Sequence, residues 1–167
     1  MQAQLHPIQL RFVAVRELHI KTFYPPGSSI KYSSAEAQLQ INDAALDPET
    51  NLIQVGLVFQ SGREQDPTDA ELATMRSTQE QPFRLMVHIV AEFYVDVTKF
   101  PAEKVPLWAK VNAPGLMYPF LREHVFALTA RCGFNPIILP LIHLPTIQRK
   151  EVLPLQPEAL EVVGASD

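Results

Sequence analysis

Five histidines and a single cysteine are the groups from which proton transfer, nucleophilic attack or metal binding would be built. His6, His19, His88, His124 and His143 are scattered, and no two form a paired metal-binding motif. His124 and Cys132 share a helical stretch but stand eight residues apart. At about 1.5 Å per residue that is roughly 12 Å along the axis, too far for a direct Cys–His dyad. Cys132 closes an apolar stripe, where the expected role is that of a small buried side chain. Arg122, Glu123 and Arg131 are the remaining acid–base candidates. Arg122 and Glu123 are adjacent, so they face different directions on a helix and read as a solvated or interface ion pair. There is no Gly-rich phosphate loop and no Gly-x-Ser-x-Gly elbow. Catalysis therefore finds no support, and the chain is not expected to be an enzyme or to carry a metal or other cofactor.

What the sequence holds in surplus is apolar surface. Leu107, Trp108, Leu116, Met117, Tyr118, Phe120 and Leu121 fall within fifteen residues, followed by the run from Ile137 to Leu144. One helix face on a small sheet cannot hide all of these. Met117, Leu121, Val125 and Leu128 are assigned to the helix–sheet core. For Trp108, Tyr118, Phe120 and the Ile137–Leu144 strip the same core competes evenly with a subunit interface or a groove that takes apolar segments of another chain.

The elements that must position these residues follow from hydrophobic period. Ile8, Leu10, Phe12 and Ala14 alternate with Gln9, Arg11, Val13 and Val15, a strand with period two. Leu39 and Ile41 mark a shorter strand, and Ile53, Val55, Leu57 and Phe59 a third after the turn Asp47-Pro48-Glu49-Thr50-Asn51. From Phe83 to Val97, Phe83, Leu85, Val87 and Ile89 point one way, while Arg84, Met86, His88 and Val90 point the other. These four strands predict an antiparallel sheet. Its second face, with Val13, Val15, Val58, Met86 and Val90, is too apolar for open water. Ser61 to Gln81 is polar and too long for a hairpin turn. Asp69 to Met75 can form a short helix opened near Asp66 or Thr68, although the polarity favours a mobile excursion over one end of the sheet.

From Phe100 the period becomes helical. Val105, Leu107, Trp108 and Val111 suit one short helix with Pro106 in its first turn. Pro114 opens a longer one, whose stripe Met117, Leu121, Val125, Leu128 and Cys132 ends before Gly133. Pro119 fits if the first regular turn starts near Tyr118. The segment Phe134 to Pro145 has three prolines and many Ile and Leu residues, so it reads as an extended apolar strip against helix or sheet. The sequence thus divides into a domain over residues 1–147, with a polar insertion at 61–81, and a proline-containing, mobile tail over 148–167. That tail has room for a short helix from Glu158 to Val163.

Composition bounds the class of partner. The chain has 167 residues, 47% hydrophobic and 19% charged, with mean hydropathy near zero. That describes one globular domain. A single cysteine excludes an internal disulfide framework. A net charge of -4 and no basic stripe argue against nucleic acid. No apolar run approaches a membrane span, and the first residues lack the pattern of a signal peptide, so a cytoplasmic protein is expected.

The run Pro114-Gly115-Leu116-Met117-Tyr118-Pro119-Phe120-Leu121-Arg122-Glu123-His124-Val125 resembles the signature of the SecB chaperone family. So do Gly133-Phe134-Asn135-Pro136 and Leu139-Pro140 after it. Residues 118–131 are closest to SecB-like proteins that accompany toxin–antitoxin pairs. The resemblance implies an α+β subunit, a four-stranded antiparallel sheet with two helices packed on one side, assembling as a homotetramer, a dimer of dimers. It also implies an ATP-independent holdase that binds non-native polypeptides in hydrophobic grooves, for export or to guard a dedicated client such as an antitoxin. The residues put forward for the groove are Leu39, Ile41, Leu107, Trp108, Tyr118, Phe120, Ile137, Leu139 and Leu141. SecA is a partner the resemblance implies, and two departures count against it. His143-Leu144 and Pro145, Pro154 and Pro157 stand where export members continue into an Asn-Phe step and a helix. The acidic patch that export members place on the first strand is reduced to Glu17, with Lys21 where a second carboxylate would be expected. The rival reading from the same apolar residues is a carrier of a small hydrophobic ligand in a closed cavity.

Overall fold

A computed structural model describes residues 5–25, 30–32, 35–42, 44–141 and 151–155. Its strands are β1 (Ile8–Thr22), β2 (Ala35–Ile41), β3 (Leu46–Asp47), β4 (Leu52–Ser61), β5 (Phe83–Val95) and β6 (Glu151–Leu155). Its helices are α1 (Asp69–Thr78), α2 (Val105–Val111) and α3 (Ala113–Arg131). The strands form one sheet in the order β1-β5-β4-β2-β6, with β3 beside β4, and every pair is antiparallel. The four expected strands are present, and β3 and β6 extend the sheet. β6 lies within the segment expected as a tail. Its Pro154 is compatible with pairing because β6 is the outermost strand. The helix expected over Glu158–Val163 lies outside the described residues.

Alternation builds the core on one face. Ile53, Val55, Leu57 and Phe59 of β4 and Phe83, Leu85, Val87, Ile89, Ala91 and Phe93 of β5 are all buried. Register places Leu57 opposite Ile89 and Phe59 opposite Val87, so they share that face. Helices α2 and α3 cover it, with Met117, Leu121 and Val125 fully buried and Leu128 and Cys132 packed at the margin. This is the stripe the sequence shows. Pro106 sits in the first turn of α2. Pro119 is a different case: α3 runs through it from Ala113 instead of starting near Tyr118. A proline there leaves the carbonyl of residue 115 without its helical donor. Met117 and Leu121 on either side are held by the core nonetheless.

β1 departs from simple alternation at two places. One extra residue enters at Arg11 and another at Arg16, where the register with β5 shifts. Each such bulge reverses which face the next side chain takes. Leu10 is therefore opposite Phe93 on the helix side, and Val13 and Val15, opposite Ala91 and Ile89, are on the helix side too. This corrects the assignment of Val13 and Val15 to the second face. Phe12 takes that position instead, opposite Glu92, and Ala14 lies opposite Val90.

The 61–81 insertion forms a helix. Thr68 caps α1 in a reciprocal pair with Glu71, and Gln79 closes it in a left-handed conformation, its N–H donating to the Met75 carbonyl. Met75 is the buried anchor. The Tyr24 hydroxyl donates to the Leu72 carbonyl at 2.6 Å, and Arg76 lies 5.5 Å over the Tyr24 ring. Arg63 pairs with Glu71 and Glu80. Asp66 joins Lys21 and Arg84. Local capping and these ion pairs outweigh the polarity that suggested a mobile excursion. Gly62 is required at the start: its φ is +88°, and a Cβ there would meet the Phe83 carbonyl oxygen at 2.4 Å.

Candidate functional site

The strip after α3 runs extended from Phe134 to Leu141, without helix or strand, and is fixed by three hydrogen bonds to aromatic or helical side chains. The Tyr32 hydroxyl donates to the Asn135 carbonyl at 2.9 Å. The Ile137 N–H donates to the Thr129 hydroxyl at 2.9 Å. The Tyr118 hydroxyl donates to the Pro140 carbonyl at 2.6 Å. Burial pushes Tyr32 and Tyr118 up to about 12, with the Arg122 charge working the other way on Tyr118. Extended geometry with these anchors turns alternate side chains inward. Ile137 and Leu139 are fully buried and Ile138 between them is exposed, while Leu141, past the last anchor, is exposed out of that alternation. Phe134 packs on Phe83, ring centroids 5.4 Å apart.

The nine residues put forward for a groove divide accordingly. Leu39, Trp108, Tyr118, Ile137 and Leu139 belong to the subunit core. Trp108 meets Phe93 edge to face at 5.1 Å and stacks with His6 at 6.3 Å. Ile41 is partly buried against the same core. Leu107, Phe120 and Leu141 are exposed, Leu141 by 85%. At about 100° per residue, Phe120 and Leu116 lie on the flank of α3 opposite the one carrying Tyr118 and Thr129. A single subunit therefore does not bring the nine into one groove. Its exposed apolar side chains are Leu107 on α2, Leu116 and Phe120 on the flank of α3 away from Tyr118, and Ile138 and Leu141 on the strip.

Sequence reasoning missed a second apolar surface. On the helix side of β1, Leu10, Val15 and Leu18 are each about two-fifths exposed, because α3 covers β4 and β5 more fully than β1. β1 is also the first strand in the sheet order, so its fifteen-residue outer edge has no strand partner among the described residues. Such a long, open, apolar edge is one that proteins ordinarily cover.

The second sheet face is mixed. The Arg11 guanidinium donates to Glu92 at 2.9 Å, and the Gln54 amide donates to the other Glu92 oxygen at 3.1 Å. Phe12 and Tyr94 are exposed there. A cavity of about 510 Å³ opens under the loop after β4, lined by Glu17, His19, Gln38, Gln60 and Arg84 among others. Its lining mixes these polar and charged side chains with Leu85 and Met86, unlike the predominantly apolar walls of a hydrophobic-ligand site.

Elsewhere the chemical candidates stay apart. Burial pushes the Cys132 thiol up, the reverse of an activated nucleophile. Arg122 is half-buried with Nε unpartnered, and among the described residues neither it nor Glu123 forms an ion pair. Among the described residues no three His, Cys, Asp or Glu side chains gather as metal ligands, and no helix is long and apolar enough to cross a membrane.

A profile of the family described as preprotein translocase subunit SecB matches residues 14–152. The chain belongs to the SecB family. Among solved structures, this SecB-family chain is similar to the Mycobacterium tuberculosis SecB-like chaperone Rv1957 in complex with a ChAD peptide from the HigA1 antitoxin. Identity is 18%, the match covers 81% of this chain and 91% of that one, and the TM-score is 0.58. At that identity the likeness speaks for the fold. Comparison with curated proteins finds no match. The SecB match begins inside β1 and ends inside β6, so the C-terminal strand is partly within the family's shared region.

Proposed function

We propose that this SecB-family protein is a non-enzymatic, ATP-independent holdase of the cytoplasm that binds non-native polypeptide. The observation that carries the reading is the exposed apolar surface that Leu107, Phe120 and Leu141 present on α2, α3 and the strip. Such a surface holds chains by hydrophobic contact and needs no reacting group. Each client Leu or Phe buried there contributes roughly 1.5–3 kcal/mol, and ordering a flexible segment costs about 2–5 kcal/mol. Three or four anchors leave a weak, reversible contact at each site. Several sites on one assembly raise the effective affinity by roughly 10²–10⁴.

The assembly in this proposal is a dimer of dimers. The open edge of β1, with Leu10, Val15 and Leu18 beside it, suits a second copy of the chain, because edge pairing would satisfy the backbone groups and cover the apolar side chains together. The SecB-like neighbour that holds an antitoxin peptide supports a dedicated client of that kind. SecA is the weaker partner, since the outer face of β1 carries Lys21 near Glu17 and Lys21 is paired to Asp66. Titration of the assembled protein into fluorescently labelled unfolded polypeptide tests the reading. Saturable binding that is indifferent to ATP supports it, and a folded assembly that does not bind removes it.

A further inference from the structure

The edge of β2 that faces away from β4 is taken by the chain's own C-terminal strand. Glu151–Leu155 pairs antiparallel with Ala35–Leu39, from Ala35 opposite Leu155 to Leu39 opposite Glu151. Three features make this strand a weak occupant. It is only five residues long, it is the outermost strand, and it pairs with only five of the seven residues of β2. β2 continues past the paired segment to Ile41, which packs against the core.

We propose that β6 is a displaceable stand-in for client: an extended segment of non-native polypeptide replaces it on β2 by antiparallel strand addition. The inference rests on the holdase reading above and adds to it a built-in competitor. Strand addition recognises main-chain groups and so accepts many sequences, with side-chain pockets adding preference. A strand tethered to its own site acts at an effective concentration in the millimolar range for a short connection. Only the fraction of subunits with β6 released is competent, and apparent affinity falls by that fraction. The C-terminal strand thereby keeps the β2 edge from pairing with other copies and releases it to extended client segments.

The test uses the full chain in a Cys132→Ser background, with labelled, reduced and carboxymethylated lactalbumin as the unfolded probe. Gln38 and Val152 are opposite each other in the register, and facing positions of an antiparallel pair are within disulfide reach. In the Gln38→Cys/Val152→Cys variant, the oxidised protein is expected to bind the probe at least tenfold more weakly than the same protein after reduction. Leu153→Pro, which removes the N–H that alternation turns toward β2 when that of Pro154's position faces outward, is expected to bind about tenfold more tightly than the parent. Equal affinity of the oxidised and reduced forms, or a disulfide that does not form in the folded protein, would overturn the proposal. So would a folded, assembled Leu153→Pro variant with parental affinity. If neither parent nor variants hold the probe, the holdase reading itself fails, an outcome distinct from a parent that binds and does not respond to the lock.

Discussion

The hydroxyl of Thr129 on α3 accepts the backbone N–H of Ile137 at 2.9 Å and donates to the Val125 carbonyl at 2.8 Å. Both partners are buried, so one side chain carries the polar obligations of the strip across an otherwise apolar contact. Thr129→Val keeps the shape and leaves the Ile137 N–H unpaired. The expected cost is about 1–3 kcal/mol, lowering Tm by roughly 2–4 °C for each kcal/mol in a chain of this size. Thr129→Ser should lose much less. Calorimetry on the two variants separates the hydrogen bond from the packing.

Tyr118→Phe removes the bond to the Pro140 carbonyl and keeps the ring in the core. That bond lies at the partly exposed end of the strip, where water can replace the lost donor. The loss should be about 1 kcal/mol, below that of Thr129→Val. Hydrogen exchange near Leu141 should rise while the sheet stays protected; an unchanged exchange pattern would mean that the bond does not fix the strip.

The same tyrosines set an alkaline limit. Tyr32 and Tyr118 are both pushed up to about 12 by burial, against about 10 in an unfolded chain. A raised folded-state value means that the folded form holds its proton more tightly. The stability they contribute is complete below pH 10 and is lost as pH rises from about 10 towards 12. Urea unfolding across that range should show the decline, and Tyr32→Phe with Tyr118→Phe should flatten it.

Leu141 is mostly exposed and Phe120 only two-fifths exposed, so Leu141→Ser should change stability by no more than about 0.5 kcal/mol and Phe120→Ser by about 1–2 kcal/mol for the covered part of its ring. Their effect should fall on client binding, roughly tenfold or more per lost anchor if each contributes as a buried side chain does. Trp108→Ser should instead destabilise the subunit, because its ring is packed on Phe93. Anisotropy titrations beside thermal melts distinguish the two classes.

At the β1 edge, Val15→Lys with Leu18→Lys places two charges on a half-exposed apolar surface. If that edge joins copies of the chain, sedimentation should show smaller species with secondary structure retained. An unaltered tetramer would place the subunit contact elsewhere.

Much of this architecture is legible in the sequence wherever polar and apolar residues alternate cleanly. β4 and β5 obey the period, so their buried face follows directly. The stripe of α3 reads just as well, because Met117, Leu121 and Val125 repeat at helical spacing. β1 does not, since Leu10, Phe12, Val13 and Val15 are apolar on both parities and hide the extra residue at Arg11. β6 was hidden by Pro154, which forbids a central strand and tolerates an edge one; only the position in the sheet decides which. Of the groove candidates, the sequence shows that Trp108, Tyr118, Ile137 and Leu139 are apolar and near one another. Whether such a residue fills the core or faces outward depends on anchors such as Thr129 and Tyr32, and nothing in their local sequence marks them.

The most direct test of the holdase reading is light scattering from a chemically unfolded, unrelated protein diluted into buffer with this protein and no ATP. The reading predicts suppression of aggregation at near-stoichiometric assembly, diminished by Phe120→Ser with Leu141→Ser. Undiminished aggregation in the presence of a folded, assembled preparation would contradict general holding of non-native chains.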